Sequence, residues 1–145
     1  MKKTIKYLSL INVLGFSLVS IILILSILIK PFAWSEFLIA LNLLISIPFI
    51  ISGVIILKNI KNPNKQQVQN TLISVFLVLW LPSLSLPFFY ETGGFIISLT
   101  MLLIGLFGVL KITNINYKMI FINSVGLTFL IINLLVVFNI IRDMI

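Results

Sequence analysis

The sequence predicts an all-α integral membrane protein: one bundle of five transmembrane helices over residues 1–145, with a cytoplasmic N-terminus and an outside C-terminus. Three observations predict this. Of the 145 residues, 61% are hydrophobic and 9% charged, with a mean hydropathy of +1.28. A water-soluble domain is typically about 25% charged, and a small one leaves too much surface exposed to enclose such an excess of hydrocarbon. The excess therefore faces lipid. Next, the 13 ionisable side chains leave five long uncharged windows, at 7–29, 37–57, 66–90, 92–110 and 119–141. They hold 23, 21, 25, 19 and 23 residues, against the roughly 20 that a helix needs to cross about 30 Å of hydrocarbon. None shows the period-2 alternation of a barrel strand. Last, the basic residues are unevenly shared between alternate connecting segments.

The first window follows Met1-Lys2-Lys3-Thr4-Ile5-Lys6, which resembles the start of a signal peptide. Its 23 apolar residues exceed the roughly 7–15 of such a leader's core. No small-x-small cleavage pattern follows, and the chain's alanines are Ala33 and Ala40 alone. The segment is expected to stay as a helix. The second window ends at the most polar stretch of the chain, Lys58-Asn59-Ile60-Lys61-Asn62-Pro63-Asn64-Lys65, a cytoplasmic loop over 58–65. Pro63 suits the first turn of the helix that follows.

The third window carries a candidate helix break at Pro82 and Pro87, each of which removes a backbone donor. Discontinuous helices build binding sites in transporters; a kinked outer half leading into a tight turn at Gly93-Gly94 is the plainer outcome. The fourth window is the shortest, and a re-entrant version of it would leave four crossings.

Orientation follows from the excess of Lys and Arg on cytoplasmic segments. Five crossings put Lys2, Lys3, Lys6, Lys58, Lys61, Lys65, Lys111 and Lys118 inside and Lys30 and Arg142 outside, eight against two. Four crossings give seven against three, so five is preferred. Tyr7, Trp34, Tyr90 and Tyr117 sit at window edges, where amphipathic rings favour the headgroup layer, and Trp80 lies mid-window.

Within lipid, helices associate through small residues and interhelical hydrogen bonds. At 100° per residue, Ser35, Asn42, Ser46 and Gly53 share one sector of the second helix, and Gly94, Ser98, Met101, Gly105 and Gly108 share one of the fourth. The third aligns Asn70 with Ser74 and Leu81, the first Asn12 with Gly15 and Ser26, and the fifth Asn123 with Gly126 and Asn133. Gly94, Ser98, Gly105, Gly108, Ser46 and Gly53 are the predicted packing residues, the fourth helix making the closest approach. They serve packing within one chain or between copies.

Asn12, Asn70 and Asn123 lie five or six residues beyond Lys6, Lys65 and Lys118 on three helices of the same direction. They form a candidate polar layer in the cytoplasmic half, cross-linking the bundle or lining a small solute site. Alternatively, amides at that depth reach headgroup water. A short echo between Asn12-Val-Leu-Gly-Phe-Ser17 and Asn123-Ser-Val-Gly-Leu-Thr128 is of the quality chance produces in so restricted a composition.

Several chemistries are excluded. The chain has no His and no Cys, so the usual ligands for haem, zinc and copper are missing, as is thiol chemistry. No carboxylate falls inside a window, which removes a buried proton relay. The three acids, Glu36, Glu91 and Asp143, lie in separate outer segments, unlike a clustered Mg²⁺ site. No phosphate-cradling glycine motif occurs.

We therefore expect no catalytic, cofactor-binding or metal residues, and no enzyme. Although the net charge is +7, the lysines are read as anchors at an anionic membrane face, not as a nucleic-acid patch. The expected function is that of an accessory, scaffold, immunity-type or regulatory membrane protein that binds a partner within the bilayer. The alternatives are a small transporter or oligomeric pore lined by Asn, Ser and Thr, and a lipid-acting enzyme using the three acids. Expected partners are the lipid bilayer and another membrane protein or a second copy. Nine Lys to one Arg, with abundant Ile, Asn and Phe, points to an AT-rich, bacterial origin and the bacterial cytoplasmic membrane.

Overall fold

A residue pattern with apolar or small side chains every three or four positions must bury that stripe to be stable as a helix. Four such stripes organise the molecule. In the computed structural model, which describes the backbone of residues 1–83 and 86–144 and the side chains of 1–80 and 92–142, the chain forms helices α1 (Lys2–Ile29), α2 (Ser35–Lys61), α3 (Lys65–Ser83), α4 (Leu86–Leu110) and α5 (Ile115–Met144). The buried positions of α1 are Ile5, Ser9, Asn12, Phe16, Val19, Leu23 and Ile27. Alternating steps of four and three also mark Asn42, Ser46, Phe49, Gly53 and Ile56 on α2 and Val68, Leu72, Val75 and Leu79 on α3. On α5 the series is Met119, Asn123, Gly126, Leu130, Asn133 and Val137. A mean step of about 3.5 is the seam of knobs-into-holes packing.

The seams meet in a core of α1, α2 and α5, with α3 against α2 and α5 and α4 laid on α3. Contacts give the directions: Asn12 bonds Asn123, and Ser20 is linked through Asn42 to Asn133, so α1 and α5 run parallel. Gly53 of α2 meets Val13 while Asn42 meets Ser20, so α2 runs opposite to α1. Two apolar clusters divide the length. One gathers Ile5, Ile56, Val68, Leu72, Met119 and Ile122 near the lysine-rich end. The other is built on Phe16, Val19, Leu23, Phe49, Leu130 and Val137.

Among the described residues, four helical stretches are long and apolar enough to cross a membrane: α1, α2, residues 92–110 of α4, and 115–142 of α5. The polar first turns of α3, with Lys65, Gln66, Gln67, Gln69 and Asn70, set it apart. In its most apolar stretch α4 is 22% buried against 33% for the other three. α4 is the peripheral helix, and it packs through the face that carries Gly105 and Gly108.

Three boundaries differ from the sequence reading. The window 66–90 is not one helix: α3 ends at Ser83 and α4 begins at Leu86. Pro87 thus falls in the first turn of α4, where its missing N–H has no helical partner to lose. The side chains of Pro82 and Pro87 lie outside the described residues. Gly93 and Gly94 are not a turn but part of α4, and no glycine has a positive φ. Pro63 precedes the helix instead of entering it, because Asn64 takes the capping position. Its Oδ1 accepts from the Gln67 N–H at 3.0 Å, an N-cap typically worth about 1 kcal/mol. Asn114 does the same for α5, accepting from the Asn116 N–H at 2.9 Å.

Among the described residues, Trp34, between α1 and α2, is the non-glycine residue with positive φ, 71°, and its ring is exposed. The left-handed backbone lets the Ser35 N–H reach the Phe32 carbonyl at 3.1 Å and reverses the chain within five residues, Lys30 to Trp34.

Candidate functional site

Polar side chains turned into an apolar bundle must find each other, because no water competes for them. They do so in two layers. In the first, Asn12 Nδ2 donates to the Asn123 carbonyl at 2.9 Å and to Asn123 Oδ1 at 3.2 Å. Asn123 Nδ2 donates in turn to Ser9 Oγ at 2.8 Å. In the second, Ser20 Oγ donates to Asn42 Oδ1 at 2.7 Å, and Asn42 Nδ2 donates to Asn133 Oδ1 at 2.9 Å. Ser46 Oγ lies 3.5 Å from both Asn42 Oδ1 and Asn133 Nδ2. Each layer spans α1 and α5, and the second also binds α2.

An aromatic layer separates them. Phe16 and Phe49, both fully buried, stack with centroids 5.1 Å apart and planes 6° from parallel. Phe129 closes on Phe49 at 5.6 Å. The polar layers are thus divided by packed rings.

Asn12 and Asn123 are therefore brought together, as their matched depth requires, while Asn70 stands apart. It is exposed on α3, and its Oδ1 accepts from Gln66 Nε2 at 2.9 Å. Its stripe faces away from the α1–α2–α5 core because α3 buries Val68, Leu72 and Val75 instead. Among the described residues, one buried side-chain oxygen or nitrogen lacks a hydrogen-bond partner, Asn12 Oδ1.

The small residues sit where helices touch. A Cβ on Gly53 would come 2.5 Å from Val13 Cγ2 and 3.2 Å from the Ser9 carbonyl, so α1 and α2 are close there. Gly105 accommodates Phe76 of α3, and Gly108 accommodates Phe121 of α5, the nearest ring atom in each case within 3 Å of the added carbon. Gly94, Ser98 and Ser46 are buried. The sequence reading put Gly15 and Gly126 on packing faces without naming their partners, which are Leu130 for Gly15 and Asn12 and Phe49 for Gly126.

It also did not join Asn42 to Asn133. Both were placed on packing faces, but depth was compared only among helices of one direction. Asn42 lies six residues after Glu36 and Asn133 nine before Arg142, a rough match across antiparallel helices. Lys118 was read as a loop anchor; it is instead buried, with its ammonium donating to Gln69 Oε1. Glu36 is exposed in the first turn of α2, and the side chains of Glu91 and Asp143 lie outside the described residues.

A recess of about 770 Å³ opens outward between α2 and α3. Ile47, Pro48, Ile51 and Ile55 form its apolar wall, and Gln67, Asn70, Thr71 and Ser74 its polar one. Its mouth is braced. Asn59 is buried and donates to Gln67 Oε1 and the Ile55 carbonyl, both at 2.9 Å, while its Oδ1 accepts from the Asn64 N–H at 2.7 Å.

The arrangement has inward amides that join helices, one amphipathic outward recess, and a lysine-rich end. No family model, curated protein or solved structure matches the chain.

Proposed function

We propose that this protein is a non-catalytic, multi-pass membrane protein that acts by binding a partner within the bilayer, as an accessory, scaffold, immunity-type or regulatory subunit. One observation carries this reading: the interior polar groups hydrogen-bond to one another and divide into two layers across the Phe16–Phe49 stack. Amides used in this way hold helices together. A solute route through a single copy would have to pass the stacked rings, which weighs against the transporter reading.

The chain crosses the membrane five times, with its N-terminus cytoplasmic. The fifth crossing is assigned to α3, 19 residues and about 28 Å in all, with its polar first turns among the headgroups and its apolar remainder in the hydrocarbon. The lysine-rich end faces the cytoplasm of a bacterial cell. A tag appended after Ile145 is expected to be cleaved by protease added to intact spheroplasts. Protection of the tag would mean an even number of crossings.

The functional reading is tested by mild solubilisation followed by mass spectrometry of the purified protein. A membrane protein in constant ratio to this chain is the expected companion. A lone monodisperse species that supports solute flux in proteoliposomes would overturn the reading in favour of transport.

A further inference from the structure

We propose that the α2–α3 recess holds one anionic phospholipid, taken from the leaflet at the lysine-rich end. From the mouth inward, the recess changes chemistry in the order of a phospholipid's own parts. Lys58 lies one turn beyond Ile55, on the helix face that lines the recess, and Lys61 follows one turn later; both are exposed. Asn64 caps the Gln67 N–H, but the Lys65 and Gln66 N–H groups have no carbonyl within their own helix, which adds to the lysines' pull on a phosphate. About one turn further in stand Asn70 and Thr71, and then Ser74. Asn70 Oδ1 is engaged by Gln66, which leaves its N–H₂ to donate to an ester carbonyl. Deeper still, Val75 and Val78 face Ile47 and Pro48 across the recess, a purely apolar slot suited to an acyl chain.

A second copy fits poorly. Its own recess is concave, and pairing like faces would bring two sets of Lys58 and Lys61 together with no acid in the loop to offset them. An anionic headgroup has the complementary sign.

The test uses the full chain, delipidated in detergent, with dioleoyl phosphatidylglycerol or dioleoyl phosphatidylcholine added separately and adducts counted by native mass spectrometry. One phosphatidylglycerol per chain is expected to survive, in preference to phosphatidylcholine. Lys58→Gln and Lys61→Gln should each weaken retention about fivefold, the worth of one lysine at an anionic surface. Lys2→Gln and Lys3→Gln should leave it unchanged. Ser74→Phe, at an exposed position, should fill the recess and abolish retention while circular dichroism keeps the wild-type helix content; Asn70→Leu offers the same check should that variant misfold. Equal retention of the two lipids, undiminished retention in both recess variants, or a dimer that forms without lipid would each overturn the proposal. The measurement needs no companion protein, so its failure leaves the partner reading standing, and the reverse also holds.

Discussion

Asn42→Leu is expected to destabilise the bundle by about 2 kcal/mol, read as unfolding in detergent against a denaturing surfactant. The amide accepts from Ser20 and donates to Asn133, and so joins α1, α2 and α5 at one point. Interhelical hydrogen bonds in membranes average only about 0.6 kcal/mol, with a maximum near 1.7. The larger cost comes from what is left behind. Asn133, 8% exposed, would keep a carbonyl oxygen without its donor, and an unsatisfied buried polar group costs about 1–3 kcal/mol. Ser20 can turn its hydroxyl to a carbonyl of its own helix and so loses less. The prediction therefore has a sharper second half. Asn42→Leu/Asn133→Leu should recover much of the loss, because removing both partners leaves no orphan. A double variant that falls by the full sum of the single ones would show that the two amides are not coupled and would remove the second polar layer as a structural unit.

Gly126→Ala is expected to be costly in spite of alanine's better helix propensity. The added carbon would lie 2.6 Å from Asn12 Nδ2, 3.0 Å from Asn12 Cγ and 3.0 Å from Phe49 Cδ1. Neither neighbour can move freely. Asn12 is held by two hydrogen bonds to Asn123, and Phe49 is stacked on Phe16. Overpacking of this kind costs about 1–3 kcal/mol, enough to outweigh a propensity gain of roughly 0.8–1 kcal/mol. Gly93→Ala is the internal control. Nothing lies within 4 Å of its added carbon and its φ is not positive, so the propensity gain should appear as a slight stabilisation. Thermal unfolding of the two variants in the same detergent checks both, and a neutral Gly126→Ala would mean that α1 and α5 are less closely packed than described.

What the residues determined unaided is the helical, strongly apolar class of the molecule, and the proposed sidedness rests on them alone. Hydrocarbon in excess of any possible core, cut into five uncharged stretches, decides for membrane helices by transfer free energy alone, without reference to which helix touches which. The lysine bias is likewise a property of segments, and the packing of Gly53, Gly105 and Gly108 followed from small residues recurring on one face. Helix ends were less legible where local rules compete. Pro63 looked like a first-turn residue until the Asn64 side chain took the cap, and Pro82, Pro87 and the Gly93-Gly94 pair each offered a place to break the chain. The described ends are Ser83 for α3 and Leu86 for α4.

Only the tertiary structure decided which polar groups meet. Equal depth placed Asn12, Asn70 and Asn123 together on paper, but a hydrogen bond needs matching azimuth on two packed helices as well as matching height. The Val68, Leu72 and Val75 seam turns α3 so that Asn70 points away, while the antiparallel course of α2 carries Asn42 to Asn133 and Ser20. Rotation about a helix axis is set by the neighbours that cover it, and no single helix contains that information.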